Sequence, residues 1–123
     1  MSPAVLVADD SATMRKIIIR SLNAVGISSA VEAADGNQAV AMFKPGMFNL
    51  VLTDWNMPGK TGLEVTQAIR AQDPKVPIIM ITTEAEKQRV LAAIQAGVTD
   101  YLVKPFTPAV LRAKLDKHVP AVT

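Results

Sequence analysis

The stretch NLVLTDWNMPGKTG, residues 49–62, contains the feature that decides the fold. Its apolar run at residues 50–52 is followed almost at once by a carboxylate, Asp54, and then by a Pro58-Gly59 turn. A short unbroken apolar run is typical of a strand in a parallel sheet, because helices cover such a sheet on both faces. The stretch therefore predicts a buried parallel strand that presents an acidic side chain where it ends.

Four further strands and five helices are predicted around this strand. Unbroken apolar runs occupy residues 4–8 and 78–81, and weaker strand candidates occupy residues 30–33 and 100–103. Gly26 and Gly97 are predicted to close helices, and Thr107 with Pro108 to begin one. Five alternations of strand and helix indicate an α/β domain with a parallel sheet and right-handed crossovers. The apolar residues at helical spacing are Met14, Ile17, Ile18, Leu22 and Val25; Ala39, Val40 and Phe43; Val65, Ala68 and Ile69; Val90, Leu91 and Ile94; and Leu111, Leu115 and Val119.

Length and composition narrow the class of protein. The 123 residues suit one compact domain, residues 1–123, and we expect no output domain in the chain. The absence of cysteine excludes disulfides and cysteine metal sites. No apolar stretch approaches the roughly 20 residues of a membrane span, and no signal peptide is evident, so we expect a cytoplasmic protein. A net charge of +2 gives too weak a field to favour nucleic acid.

Polar side chains follow four of the five predicted strands. Ligands of open α/β sheets gather outside the carboxyl ends of the strands, so these side chains should share one crevice. The second strand ends in Ala33-Ala34 and contributes little. The candidates are Asp9 and Asp10 after the first strand, Asp54 and Asn56 after the third, Thr82, Thr83 and Glu84 after the fourth, and Lys104 after the fifth.

Three carboxylates in one crevice repel each other and require a cation. One candidate is Lys104, a compact charge on a flexible stem. The other is a hard divalent metal, and carboxylates with a backbone carbonyl and waters suit Mg²⁺. A crevice with carboxylates, Mg²⁺, a lysine and a hydroxyl suits phosphoryl transfer, with one aspartate as the nucleophile.

Four stretches in this order resemble the receiver domain of bacterial response regulators, and in particular the single-domain chemotaxis regulators of the CheY type. They are VADDSATMRK at residues 7–16, LTDWNMPGKTGLE at 52–64, MITTEAEK at 80–87 and AIQAGVTDYLVKPF at 93–106. The resemblance implies a doubly wound, flavodoxin-like fold. Its five-stranded parallel sheet would have the order 2-1-3-4-5, with five flanking helices.

The resemblance also implies a role for each site residue. Asp54 would be the phosphoacceptor, and Lys104 would pair with the phosphoryl group. The peptide bond between Lys104 and Pro105 would be cis. Asp10, Asp54 and the backbone carbonyl of Asn56 would bind Mg²⁺ directly, while Asp9 would act largely through water.

Three residues would respond to the phosphoryl group or control its lifetime. Thr82 would hydrogen-bond a phosphoryl oxygen, and Tyr101 would be the aromatic switch that turns inward when Thr82 moves. Glu84, together with Asn56, would tune the rate at which water removes the phosphoryl group.

The function implied is that of a phosphorylation switch rather than an enzyme. A chemotaxis-type histidine kinase would donate the phosphoryl group, with a flagellar motor switch protein and a phosphatase as further candidate partners. One alternative is a degenerate receiver that acts as a phosphorylation-independent scaffold. A flavodoxin-like cofactor domain is disfavoured, because Asp9 and Asp10 would repel a phosphate where that class needs a Ser/Thr/Gly-rich loop.

Simpler interpretations remain for several residues. Asp9 and Asp10 could simply cap the first helix, since acids favour helix N-termini, and Trp55 is expected only to pack. His118 is expected to complement the dipole of the last helix, with no ligand role. The remaining basic residues are expected to be a solvated surface, with a docking face as the alternative: Lys87, Arg89, Arg112, Lys114 and Lys117.

Overall fold

A computed structural model describes residues 4–118 of the chain. Strands and helices alternate throughout this range, as the apolar runs and helical spacings predict. The elements in chain order are β1 (Ala4–Ala8), α1 (Ala12–Ala24), β2 (Ser29–Ala33), α2 (Gly36–Met42), β3 (Leu50–Thr53), α3 (Gly62–Gln72), β4 (Ile78–Thr82), α4 (Lys87–Ala96), β5 (Asp100–Val103) and α5 (Pro108–His118).

All strand pairs are parallel, and the sheet order is β2-β1-β3-β4-β5. This confirms the doubly wound order 2-1-3-4-5. Because parallel strands point the same way, β1, β3, β4 and β5 deliver their last residues to one edge of the sheet. The registers pair Ala8 with Thr53, Thr53 with Met80 and Thr82 with Val103, so β4 and β5 extend two residues beyond the ends of β1 and β3 at this edge.

Successive residues of each central strand enter two different cores. Along β1, Leu6 and Ala8 belong to one core, while Val5 and Val7 belong to the other. This alternation follows from the period of two of a β-strand, and because helices cover both faces, the central strands are apolar at nearly every position. The first core includes Ala39, Val65, Ile69 and Ala93 of α2, α3 and α4; the second includes Ile18, Leu22, Leu111 and Leu115 of α1 and α5.

The predicted helix ends are confirmed. Gly97 has the left-handed φ of 111°, which closes α4 where an L side chain would be strained. Gly26 follows the last residues of α1 and also has a positive φ. The Thr107 hydroxyl accepts the Val110 N–H at 3.2 Å, and α5 begins at Pro108.

Three residues expected on apolar helix faces are exposed instead. Ile17 of α1 is 42 % exposed, and Leu91 and Ile94 of α4 are 48 % and 54 % exposed. The helical spacing was correct, but spacing alone does not say which face meets the sheet. In α4 that face carries Ala93, whose small side chain is fully buried. Val119, expected on α5, lies outside the described residues.

No helix within residues 4–118 is long and apolar enough to cross a membrane.

Candidate functional site

Three carboxylates meet at the sheet edge where β1 and β3 end. One oxygen from each of Asp9, Asp10 and Asp54 lies within 4.8 Å of the others. Asp9 is only 1 % exposed, whereas Asp10 is exposed and Asp54 is half-buried. The prediction that these residues share one crevice is confirmed.

Lys104 brings the fourth charge to this crevice from the end of β5. Its Nζ donates to Asp9 Oδ2 at 2.7 Å and to Asp54 Oδ2 at 2.9 Å. Burial alone would lower the pKa of Lys104, but the hydrogen bonds to Asp9 and Asp54 outweigh burial and raise this pKa above its usual value. Lys104 is therefore a fixed cation at neutral pH, and the Lys104–Pro105 bond is cis, as predicted.

Main-chain hydrogen bonds hold these side chains in place just beyond the strand ends. The N–H of Asp54 donates to Ala8 O at 2.9 Å, and the N–H of Asp9 donates to Ala33 O at 3.1 Å. The N–H of Lys104 donates to Thr82 O at 2.8 Å. Because each functional residue continues the hydrogen-bond ladder by one position, its Cα is fixed by the sheet and not by a mobile loop.

The loop between β3 and α3 folds back against Asp54. The Trp55 N–H donates to Asp54 Oδ1 at 2.6 Å, and the Gly62 N–H donates to Trp55 O at 2.8 Å. A Cβ on Gly62 would lie 2.0 Å from the backbone oxygen of Asp54, so only glycine fits there. Thr61, which precedes it, forms a capping box with Glu64.

Ser11, and not Asp9 or Asp10, is the N-cap of α1. The Ser11 hydroxyl accepts the Met14 N–H at 3.2 Å, while Asp9 Oδ1 accepts the Ser11 N–H at 2.9 Å. The two aspartates thus precede the cap, and the simpler interpretation of them as the cap itself is wrong. The Asp10 side chain makes no hydrogen bond or ion pair within residues 4–118.

Thr82, Glu84 and Tyr101 form a second connected group beside the carboxylates. Thr82 is fully buried at the end of β4, and its hydroxyl accepts the Glu84 N–H at 3.3 Å. The half-buried Tyr101 donates its hydroxyl to the backbone oxygen of Glu84. Burial, with the nearby charge of Glu84, raises the pKa of Tyr101. The loop after β4 is therefore the physical link between Thr82 and Tyr101.

Two side chains expected to influence dephosphorylation differ in their surroundings. Asn56 is exposed, whereas Glu84 is half-buried and lies 3.7 Å from Arg89 Nε. The Arg89 guanidinium also lies over the Trp55 ring, 5.2 Å from its centroid. Trp55 is buried in the first core, which agrees with a packing role.

Two of the five basic residues expected to form a solvated surface make specific contacts in addition to their contact with solvent, their side chains being 48 % exposed for Arg89 and 29 % for Lys114. Arg89 contacts Glu84 and Trp55, as described above. Lys114 Nζ lies 2.9 Å from Asp100 Oδ1, and His118 Nε2 lies 2.8 Å from Asp100 Oδ2. His118 thus contacts a carboxylate in addition to its place in the last turn of α5.

Sequence reasoning missed Arg15. Its side chain is only 14 % exposed and hydrogen-bonds both the backbone oxygen of Asp9 and the carboxylate of Glu32. The signal was present, because an arginine in the first turn of a helix is unfavourable next to the helix dipole. Such a position calls for a specific compensating contact.

The donor set fits a hard divalent cation. All three side chains of the cluster offer carboxylate oxygens, and hard oxygen ligands are those that Mg²⁺ prefers. The exposed position of Asp10 leaves room for the waters that Mg²⁺ usually keeps.

Comparison with known proteins agrees with the fold and the site. The chain is similar to the Vibrio cholerae chemotaxis protein CheY-3, with 46 % identity over 115 residues that cover 92 % of this chain and 88 % of that protein. It is 44 % identical to the Pseudomonas aeruginosa chemotaxis protein CheY, over 92 % of this chain and 93 % of the relative.

Solved structures give the same result. Vibrio cholerae CheY4 superimposes with a TM-score of 0.88 at 34 % identity, covering 97 % of this chain and 100 % of that one. The receiver domain of a Pseudomonas aeruginosa sensor histidine kinase, solved with magnesium in the active site cleft, gives 0.88 at 31 % identity, covering 98 % and 100 %. In sequence, the family model for the response regulator receiver domain matches residues 5–116 of this chain. With its sheet order, its acidic crevice and a match over nearly its whole length, the chain belongs to the response regulator receiver domain family.

Proposed function

We propose that this protein is a phosphorylation-activated response regulator of a two-component system, in which Asp54 accepts a phosphoryl group from a histidine kinase. The observation that carries the proposal is the placement of Asp54 between two carboxylates and Lys104, with Nζ 2.9 Å from Asp54 Oδ2. An acidic crevice with one fixed cation suits the transfer of an anionic phosphoryl group.

The chemical step is a displacement at phosphorus. A carboxylate oxygen of Asp54 attacks the phosphorus atom of phosphohistidine, the P–N bond breaks, and the imidazole departs with the electron pair of that bond. The product is an acyl phosphate on Asp54. Lys104 would follow the developing charge, because its flexible stem lets the ammonium group exchange a carboxylate for a phosphoryl oxygen.

The residues that would hold Mg²⁺ are Asp10, Asp54 and the backbone carbonyl of Asn56, with Asp9 acting largely through water. When bound, Mg²⁺ would neutralise charge on the transferring phosphoryl oxygens. The exposed Asp10 is the member of the cluster with no protein partner within the described range, which supports its role as a ligand.

Phosphorylation would act as a switch through Thr82 and Tyr101. The phosphorylated Asp54 would carry about two negative charges in place of the single charge of its carboxylate. The Thr82 hydroxyl would leave the Glu84 N–H for a phosphoryl oxygen, and the loop that also holds the Tyr101 hydroxyl would then repack. Asn56 and Glu84 would set the rate at which water cleaves the acyl phosphate. Shifting such an equilibrium from 1:99 to 99:1 needs about 5.5 kcal/mol of differential stabilisation.

The output would be binding, and the protein would act in the cytoplasm in chemotaxis or motility signalling. The names of its relatives support this pathway. Exposed apolar side chains on α4 and β5, namely Leu91, Ile94 and Val103, support a protein-binding surface there. A chemotaxis-type histidine kinase, a flagellar motor switch protein and a phosphatase are the proposed partners, and neither nucleic acid nor a membrane is among them.

The competing function is a phosphorylation-independent scaffold. Trp55 fluorescence and intact mass, followed as Mg²⁺ and then acetyl phosphate are added, distinguish the two functions. The switch predicts a Mg²⁺-dependent mass increase and a fluorescence change, both lost in Asp54→Asn. If the mass stays constant and beryllofluoride also fails to bind, the scaffold is the better function.

A further inference from the structure

A half-buried arginine, Arg15, contacts the backbone of the acidic crevice. Arg15 is the fourth residue of α1, and its side chain is only 14 % exposed. A cation in the first turn of a helix is opposed by the helix dipole, and burial adds a desolvation cost. Specific contacts must therefore compensate for both effects.

The Arg15 guanidinium joins three elements of the fold. Its Nη1 donates to the backbone oxygen of Asp9 at 2.6 Å, and its Nε donates to Glu32 Oε1 at 2.8 Å. Glu32 lies on β2, paired in register with Val7 of β1. A planar guanidinium can serve two acceptors in fixed geometry, which a lysine cannot do.

The oxygen that Arg15 holds belongs to the peptide bond between Asp9 and Asp10. Orienting this peptide plane orients the Cα–Cβ bond of Asp10 as well. Asp9 and Asp54 are each held by Lys104, but the Asp10 carboxylate has no hydrogen bond or ion pair within residues 4–118. The direction of the Asp10 side chain thus depends on its backbone.

We propose that Arg15 is a positioning residue that sets the affinity of the crevice for Mg²⁺ by holding the Asp9–Asp10 peptide bond, with Glu32 fixing the guanidinium from β2. The inference rests on the metal site of the proposed function. Groups that orient metal ligands from behind typically change metal affinity by about 10- to 100-fold when they are removed. The charge of Arg15 acts in the opposite sense, because a cation close to the site repels Mg²⁺.

Loss of positioning would weaken Mg²⁺ binding, whereas loss of the Arg15 charge would strengthen it, so the two effects can be separated by experiment. Mg²⁺ would be titrated into Arg15→Met and Arg15→Lys at neutral pH, with Trp55 fluorescence as one readout and the Mg²⁺-induced rise in Tm as the other. Positioning predicts that both variants bind Mg²⁺ about tenfold more weakly, although Arg15→Lys keeps the charge. Mg²⁺ affinity that is unchanged in both variants, or tighter in Arg15→Met, overturns the inference.

Glu32 provides a matched pair of variants that leaves Arg15 in place. Glu32→Gln keeps an acceptor oxygen for Nε and should bind Mg²⁺ within about twofold of the original protein, whereas Glu32→Ala should bind more weakly. Arg20→Met removes an exposed charge from the same helix and should change neither readout. These variants carry the test if Arg15→Met does not fold.

The result also separates this inference from the proposed function. If the unmodified protein shows no response to Mg²⁺ in either readout, the metal site itself is refuted, and the inference with it. If the unmodified protein binds Mg²⁺ and all Arg15 and Glu32 variants bind it equally well, only the positioning role is refuted.

Discussion

Lys104 Nζ lies 2.9 Å from Asp54 Oδ2, although the two residues are 50 positions apart in the chain. The same Nζ lies 2.7 Å from Asp9 Oδ2. One lysine from the end of β5 thus compensates the charge of carboxylates from the ends of β1 and β3. This arrangement makes the stability of the fold and the chemistry of the crevice depend on the same few charges.

Replacing Lys104 with methionine should destabilise the fold. Asp9 and Asp54 would be left close together without a cation, and removing one partner of a buried ion pair costs about 3 kcal/mol or more. Because the pKa of Lys104 is raised, its contribution is fully present below pH 10.5 and is lost only as the pH rises through the higher folded-state pKa. Urea unfolding at pH 7 measures the loss.

The control for Lys104→Met is Lys16→Met, which removes an exposed charge from α1. Mg²⁺ should restore part of the stability of Lys104→Met, because it supplies a replacement cation. Equal unfolding midpoints for the two methionine variants would contradict the role given to Lys104.

Asp10→Asn should stabilise the metal-free protein and weaken its response to Mg²⁺. Three carboxylate oxygens lie within 4.8 Å of one another, so neutralising one of them relieves repulsion. Since Asp10 is exposed, we expect a gain of about 0.5 to 1 kcal/mol in the free energy of unfolding. Thermal unfolding with and without Mg²⁺ measures both effects, and Asp116→Asn on α5 serves as the control. A metal-free Asp10→Asn protein less stable than the original would refute the repulsion.

Gly62→Ala should disrupt the loop that follows Asp54. The added Cβ would lie 2.0 Å from the Asp54 backbone oxygen, so either the loop or the start of α3 must move. Overpacking of this kind costs about 1 to 3 kcal/mol. Urea unfolding would measure the cost, and phosphorylation by acetyl phosphate should slow as well. Gln67→Ala on the exposed side of α3 is the control, and a stable, fully active Gly62→Ala would show that the loop adapts freely.

Asp100 should contribute to acid stability through its contacts with α5. Burial alone would raise its pKa, but hydrogen bonds from Lys114, His118 and the Tyr101 N–H lower it from 3.8 to about 2. A carboxyl group with a lowered folded-state pKa stabilises the fold above its unfolded-state pKa, and this stability is lost as the pH falls from about 4 to 2.

Comparison with Asp100→Asn measures this contribution. We expect a difference of about 1 to 2 kcal/mol near pH 6, reduced for solvent screening, which disappears toward pH 2. Urea unfolding across this range provides the data. A difference that does not change with pH would show that the charge of Asp100 is not responsible.

The strand pattern and the positions of the site residues could be read from the chain alone. The runs at residues 4–8, 50–52 and 78–81 are apolar because both faces of the central strands are covered, and each lies within a strand of the structure. The apolar signal of β2 is weaker because this edge strand lacks such coverage and is mostly exposed. Ligands gather where parallel strands end, so Asp9, Asp54 and Lys104 could be placed together before any distance was known.

The faces of the helices could not be read in this way. Leu91 and Ile94 have the spacing of a buried stripe, yet α4 turns Ala93 toward the sheet and leaves both of them exposed. The partners of Arg15, Arg89 and Lys114 could not be identified from the sequence either, because each contact joins residues that are distant in sequence or on different elements.

The sequence by itself determined the α/β class, the order of the elements and the chemical groups at the sheet edge, because these follow from local periodicity and from the direction of parallel strands. Only the tertiary structure decided which oxygen Lys104 contacts, which peptide oxygen Arg15 holds and which face of α4 is free. Such choices depend on distances between segments far apart in the chain, and packing of the whole domain sets those distances.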